Sequence, residues 1–286
     1  MDAVSSSPPQ VTSRKGSNGT LRSFASFRSD TSSNLMDKFK ASKERAKHAV
    51  EQFRKGSNSS SEQSLDLSAG GIVFRVPLRE AVIHSRLDLQ PQQGEGAARY
   101  WLPAVVLRAL EYLDAVGLEE EGLYRISGST AAVQELKVKF DDGLDVDIVE
   151  SPPDDIHTVS SLLKLYLRDL PDPIIPFASH ERIASITKSN SKRKEPPHEV
   201  EELLSTLPPY NYYLLRSLSF HLSNVAAHSK LNRMDVTNLG LIFVPTLRID
   251  RILFNWLIES WVMCWEMSFS AEIDALVEQR TFSVDV

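Results

Sequence analysis

Asp155-Ile-His-Thr-Val-Ser-Ser-Leu-Leu-Lys-Leu-Tyr-Leu-Arg-Asp-Leu-Pro-Asp-Pro173 is the stretch that decides the fold. Pro152, Pro153, Asp154 and Asp155 mark a helix start, and Pro171 and Pro173 mark its stop. Between these signals Ile156, Leu163 and Leu167 recur at helical spacing. Lys164 and Arg168 lie four residues apart and therefore share one face, while Leu163, Tyr166, Leu167 and Leu170 are free to pack elsewhere. Like charges so placed cost an isolated helix roughly 0.2–0.5 kcal/mol. On spacing alone the pair reads as a solvated face; the same arrangement also serves to receive an anionic partner.

The same punctuation continues outward. Pro103 opens a helix running through Val106, Leu110 and Leu113 to Gly117, with proline at the first turn and glycine past the last. A glycine-flanked loop, Gly122 to Gly128, leads into a helix from about Thr130 to Phe140. Residues 179–188, 199–206, 210–228 and 233–243 keep the helical period, and Lys188 to Pro197 reads as an exposed loop. Ile252 to Met267 is apolar, interrupted by Asn255 and Glu259 and too short to span a bilayer, and is expected to be one buried helix. Ile72 to Val76 is the one strand candidate. The pattern predicts an all-α, multi-helix bundle of roughly 190 residues.

Residues 1–70 are of another kind, rich in Ser and Asn and poor in large apolar side chains. Their Lys and Arg exceed Asp and Glu by four, so with a total of −6 the remainder carries −10. Such a segment buries too little to offset its ordering entropy and is expected to be a disordered, basic, Ser-rich tail. Arg-Lys-Gly-Ser-Asn occurs twice in it, at Arg14–Asn18 and Arg54–Asn58, placing Ser17 and Ser57 behind basic residues that suit a basophilic kinase. Residues 34–55 carry Leu35, Phe39, Ala46, Val50 and Phe53 near one helical face. The stripe is thin and reads first as a solvated, partly helical linker, with weak contact to an anionic membrane or to a partner helix as the alternatives. Residues 71–267 are expected to form the folded domain and 268–286 an extension.

The single cysteine, Cys264, excludes an intramolecular disulfide, and the acidic balance argues against a general nucleic-acid binder. With no signal-peptide pattern at the start of the sequence, the expectation is a soluble, cytoplasmic protein. The sequence holds no Gly-x-x-x-x-Gly-Lys-Ser/Thr loop, Gly-x-Gly-x-x-Gly, Gly-x-Ser-x-Gly or His-Glu-x-x-His, and its histidines have no paired ligand spacing. A self-contained active site is therefore not expected, nor any nucleotide, metal or other cofactor of the chain's own. What remains are cations in apolar surroundings: Lys164, Arg168, and Arg125 within Glu121-Gly-Leu-Tyr-Arg-Ile-Ser-Gly-Ser129, whose glycines let a short loop project the arginine.

From Gly71 to about Met267 the sequence resembles the Rho GTPase-activating (RhoGAP) domain family. The blocks that carry the resemblance, in order, are Val76-Pro-Leu, Leu102-Pro-Ala-Val-Val, Glu121 to Gly128, Asp155 to Pro173, and Asn238-Leu-Gly-Leu-Ile-Phe-Val-Pro-Thr-Leu247. Their wording is most similar to fungal members. The resemblance implies an all-α RhoGAP-type bundle and a GTPase activator in signal transduction, whose partner is a GTP-bound Rho-family small GTPase. It implies that Arg125 is the arginine finger and that Lys164 and Arg168 hold the finger loop and meet the partner's switch regions. It further implies that Asn238 lies at the interface and Pro245 shapes it, with GTP and magnesium bound by the partner. A silent binding module and a membrane-recruited scaffold are the rival readings; relatives of the silent kind lack the finger arginine, which this chain keeps. Two departures stand out: Arg75 where the family commonly has glycine, and a closing stretch made bulky by Trp256, Trp261 and Trp265.

Overall fold

The computed structural model describes residues 71–87 and 97–265. The expectations for residues 1–70, with Ser17, Ser57 and the 34–55 segment, and for 268–286 fall outside those residues. In chain order the helices are α1 (Leu78–Ser85), α2 (Ala97–Trp101), α3 (Ala104–Val116), α4 (Thr130–Asp141), α5 (Ile156–Asp169) and α6 (His180–Ser189). They continue with α7 (His198–Ser205), α8 (Pro209–Ala227), α9 (Ser229–Asn232), α10 (Val236–Leu247), α11 (Arg251–Glu259) and α12 (Trp261–Trp265). No strand occurs among the described residues.

The strand candidate at Ile72–Val76 is a turn, for a local reason. Asp141, at the end of α4, takes the Val73 and Phe74 amides on Oδ1 at 3.1 and 2.8 Å, and its backbone carbonyl takes the Ile72 amide at 3.2 Å. Those amides are thus bound to a helix end rather than to a neighbouring strand. Arg75 completes the turn with φ 62°, the left-handed region, which explains why glycine suits this position. Its Nε sits 3.4 Å from the Asp169 carboxylate.

α3 and α5 are packed against each other at the centre. α3 is buried on most of its circumference, from Ala104 to Leu113, and α5 buries Val159, Leu162, Leu163, Tyr166 and Leu167. Each such leucine, fully buried, contributes roughly 1.5–3 kcal/mol. α5 starts where Asp155 accepts the His157 amide at 2.9 Å, as its sequence foretold. It lies against α4 on one side and α10 on another, while α8 runs past α2, α3, α10 and α11.

The end of the domain differs in detail from the single helix expected. Ser260 leaves helical geometry (φ −122°, ψ 39°) and separates α11 from α12. The three tryptophans are all buried there. Trp256 and Trp261 donate to the carbonyls of Arg193 and Arg216, both at 3.2 Å, and Trp265 meets Tyr212 edge-on at 5.1 Å. The bulky closing stretch is therefore core, not an intrusion. The helix expected at 233–243 begins instead at Val236, behind the Asp235 cap, and runs on through Pro245 to Leu247.

Candidate functional site

Arg125 sits in a loop whose backbone is tied at each end. Gly122 has φ 72°, and its carbonyl accepts from the amides of Arg125 and Ile126 at 2.8 and 2.9 Å. Its own amide donates to the Asn232 carbonyl at 2.8 Å. Asn232 is fully buried and staples α8 to the chain entering the loop, donating to the carbonyls of Leu118 (2.7 Å) and Val225 (2.8 Å). At the other end, Gly128 lies so close to the first turn of α5 that an added Cβ would meet Thr158 backbone nitrogen at 2.4 Å. The Gly128 amide donates to Ser161 Oγ at 3.1 Å.

Tyr124, immediately before Arg125, has φ 70°. A non-glycine residue held there is strained by roughly 1–3 kcal/mol and persists only where its surroundings over-determine it. Here they do: the ring is buried edge-on against Phe243 at 4.9 Å, and the carbonyl accepts from Lys164 Nζ. Lys164 is 9% exposed, and burial, then the Arg168 charge, hold its ammonium below the ordinary lysine range.

Arg125, Lys164 and Arg168 open on one cleft of about 440 Å³, lined also by Tyr124, Ile242, Pro245 and Thr246. Arg125 and Arg168 are exposed. Among the described residues no carboxylate pairs with any of the three cations. The structure thus brings together four of the five residues singled out from sequence. The fifth, Asn238, does not line the cleft, but lies one turn from Ile242 and two from Pro245, on the same side of α10. Its side-chain amide donates to the Arg233 carbonyl at 3.0 Å, leaving Oδ1 as an acceptor.

Other residues matter here that no spacing rule pointed to. Pro245 lacks the N–H that Leu241's carbonyl would receive in a regular helix, and Leu241 itself is 69% exposed. Ile126, beside Arg125, is 44% exposed, so apolar side chains flank the cations. α10 is pinned at its far end by Arg248, which donates to the Leu170 carbonyl at 3.0 Å. Arg251 crosses α10 over Gly240, where a Cβ would stand 2.4 Å from its guanidinium, and donates to the Thr237 carbonyl at 3.2 Å. Among the described residues no cluster of His, Cys, Asp and Glu could hold a metal ion, and no helix is long and apolar enough to cross a membrane.

Fold and site define an all-helical domain that presents an arginine from a braced loop beside two further cations. The RhoGAP domain model matches residues 103–251, and the chain belongs to the RhoGAP domain family. It is 36% identical over 188 residues to "Probable Rho-type GTPase-activating protein 2" of Schizosaccharomyces pombe, covering 65% of this chain and 14% of that one. It is 41% identical over 146 residues to beta-chimaerin of Rattus norvegicus, covering 51% and 49%. The chain therefore spans half or less of the length of these curated relatives. Among solved structures, human Rho GTPase activating protein 15 aligns with a TM-score of 0.56 and 26% identity, covering 74% of this chain and all of that one.

Proposed function

We propose that this chain accelerates GTP hydrolysis by a Rho-family small GTPase in its GTP-bound form, with Arg125 as the finger inserted into the partner's active site. The observation that carries this reading is the convergence of three cations on one cleft with no carboxylate among the described residues to answer them. Arg125 and Arg168, exposed on that cleft with Lys164 buried behind them, suit an anionic partner.

The chemistry follows from charge. As the γ-phosphoryl group leaves GTP, negative charge grows on the transferring and leaving oxygens. A guanidinium supplies fixed donors and a permanent charge where water would have to reorganise. An arginine supplied in trans in this way is worth on the order of 10³–10⁵ in rate. Lys164 fixes the loop by its bond to the Tyr124 carbonyl, and Arg168 extends the cationic surface towards the partner's switch regions. Asn238, Leu241 and Pro245 supply the α10 side of the interface. The partner brings the nucleotide, the magnesium and the residue that orients water, so the chain is a regulator with half of an active site. It acts in the cytoplasm, with recruitment to the plasma membrane through residues 34–55 as a further element of the proposal.

The test is phosphate release from a panel of GTP-loaded Rho-family GTPases at substoichiometric amounts of the chain. Multiple turnovers per molecule of chain support an activator; binding without acceleration of any member of the panel refutes it.

A further inference from the structure

A buried polar chain runs beneath Arg125. The Tyr124 hydroxyl lies 2.6 Å from His221 Nε2, and His221 Nδ1 lies 2.9 Å from Asp114 Oδ1. It joins three elements: the finger loop, α8 and α3. His221 is fully buried, while Asp114 reaches solvent. An ionised carboxylate only accepts, so Nδ1 carries a hydrogen and, in the neutral ring, Nε2 accepts from the tyrosine. Burial first, and the Asp114 charge second, push the Tyr124 phenol well above its ordinary range, so its hydroxyl keeps a hydrogen to give.

We propose that His221 and Asp114 are positioning residues for Arg125, acting through the Tyr124 hydroxyl; the proposal rests on the reading of this cleft as a GTPase-activating site. Tyr124 is the residue whose left-handed backbone aims Arg125 at the cleft. Lys164 holds its carbonyl and Phe243 holds one edge of its ring, and both contacts would survive with phenylalanine in its place. The bond to His221 holds the tip of the ring, and it is the contact that phenylalanine would lose. Anchored at the tip as well as at the backbone, the side chain allows the peptide leading to Arg125 one setting. Without the anchor the strained backbone relaxes, and Arg125 departs from the cleft for part of the time. Asp114 acts one step further back, holding the imidazole so that Nε2 faces the hydroxyl.

The experiment is a double-mutant cycle in the full chain, Tyr124→Phe against His221→Phe, with Asp114→Asn alongside. The readouts are single-turnover GTP hydrolysis by a Rho-family GTPase and hydrogen exchange of the Arg125 and Ile126 amides in the free chain. Each single variant of the cycle is expected to lower the rate at saturation by about tenfold, with the half-saturating concentration moved by less than about twofold. The double variant should lose no more than the worse single, because both remove the same bond. Asp114→Asn should lose less than either. Exchange of the two amides, which both rest on the Gly122 carbonyl, should quicken by about tenfold or more. Tyr124→Phe removes one oxygen and carries the test even if His221→Phe fails to fold. Unchanged saturated rates in folded variants, or unchanged exchange, overturn the proposal and leave the chain a structural role only. Should the unmodified chain accelerate no GTPase, the functional reading falls, and the exchange measurement still decides whether the polar chain sets the loop.

Discussion

Gly128→Ala tests how firmly the Arg125 loop is set. The added Cβ would stand 2.4 Å from Thr158 nitrogen, 2.5 Å from its Cα and 2.6 Å from the His157 carbonyl carbon, where ordinary contact begins at 3.4 Å. All three are backbone atoms in the first turn of α5, held by the Asp155 cap and by packing against α3, so the loop must yield. It must move by about 1 Å, which takes the Gly128 amide out of range of Ser161 Oγ. Overpacking of this kind costs roughly 1–3 kcal/mol and the lost bond about 1 kcal/mol more. For a domain of this size the sum lowers Tm by roughly 5–15 °C. Gly128 is three residues past Arg125, and a misplacement of about 1 Å can cost on the order of 10²-fold in rate. Binding through α5 and α10 should hold to within a few-fold. Thermal unfolding and single-turnover hydrolysis at saturating variant read both quantities. An unchanged Tm together with full acceleration would refute the claim that this close approach sets the loop.

Other substitutions and one labelling experiment probe the cleft and the core. Lys164→Met removes a buried charge and also the donor to the Tyr124 carbonyl; these oppose each other, so stability should change by only about 1 kcal/mol while activation falls at least about tenfold. Because the folded chain holds Lys164 below its ordinary 10.5, the unfolded chain binds that proton more tightly, and stability gained from this residue rises with pH up to 10.5. Denaturant titrations across that alkaline window should show the rise in the unmodified chain relative to Lys164→Met. Leu241→Asp, at an exposed position on α10, should leave unfolding within about 0.5 kcal/mol yet weaken partner binding, measured by titration calorimetry. Cys264 is buried and its thiol is pushed up to about 12, first by burial and then by the Glu201 charge. A thiol reagent at pH 8 should therefore label it only at the rate of opening of α12, and prompt labelling of native protein would contradict the packing described.

The parts of the fold that were legible are those whose ends carry chemistry. α3 and α5 are bounded by proline, glycine and an aspartate cap, and their long apolar faces fix what they bury. Where the determinant is a distant partner, the pattern misled or fell silent. Ile72–Val76 is rich in the β-branched and aromatic residues that suit a strand, but Asp141, far along the chain, binds its amides. α1 and α2 are too short for a period to show, and Pro245 suggests an end where α10 in fact continues. The break at Ser260 reflects the separate seats of Trp256 and Trp261, which no local rule encodes.

The site divides in the same way. Lys164 and Arg168 share a face by arithmetic, and the glycines around Arg125 announce a tight loop. That both features meet in one cleft is a tertiary fact, which the sequence conveyed only through the family resemblance. Tyr124's left-handed backbone and its link through His221 to Asp114 had no one-dimensional trace. Nor did Arg248 and Arg251, whose work is to hold α10 in place.

Removing the Arg125 guanidinium decides whether it supplies the charge that speeds hydrolysis. Single-turnover hydrolysis by a GTP-loaded Rho-family GTPase is compared at saturating unmodified chain and saturating Arg125→Ala, with affinity measured in parallel. The expected result is a loss of acceleration on the order of 10³-fold or more with affinity largely kept, because a finger guanidinium acts on charge that develops during the reaction. Equal acceleration by the variant would contradict it.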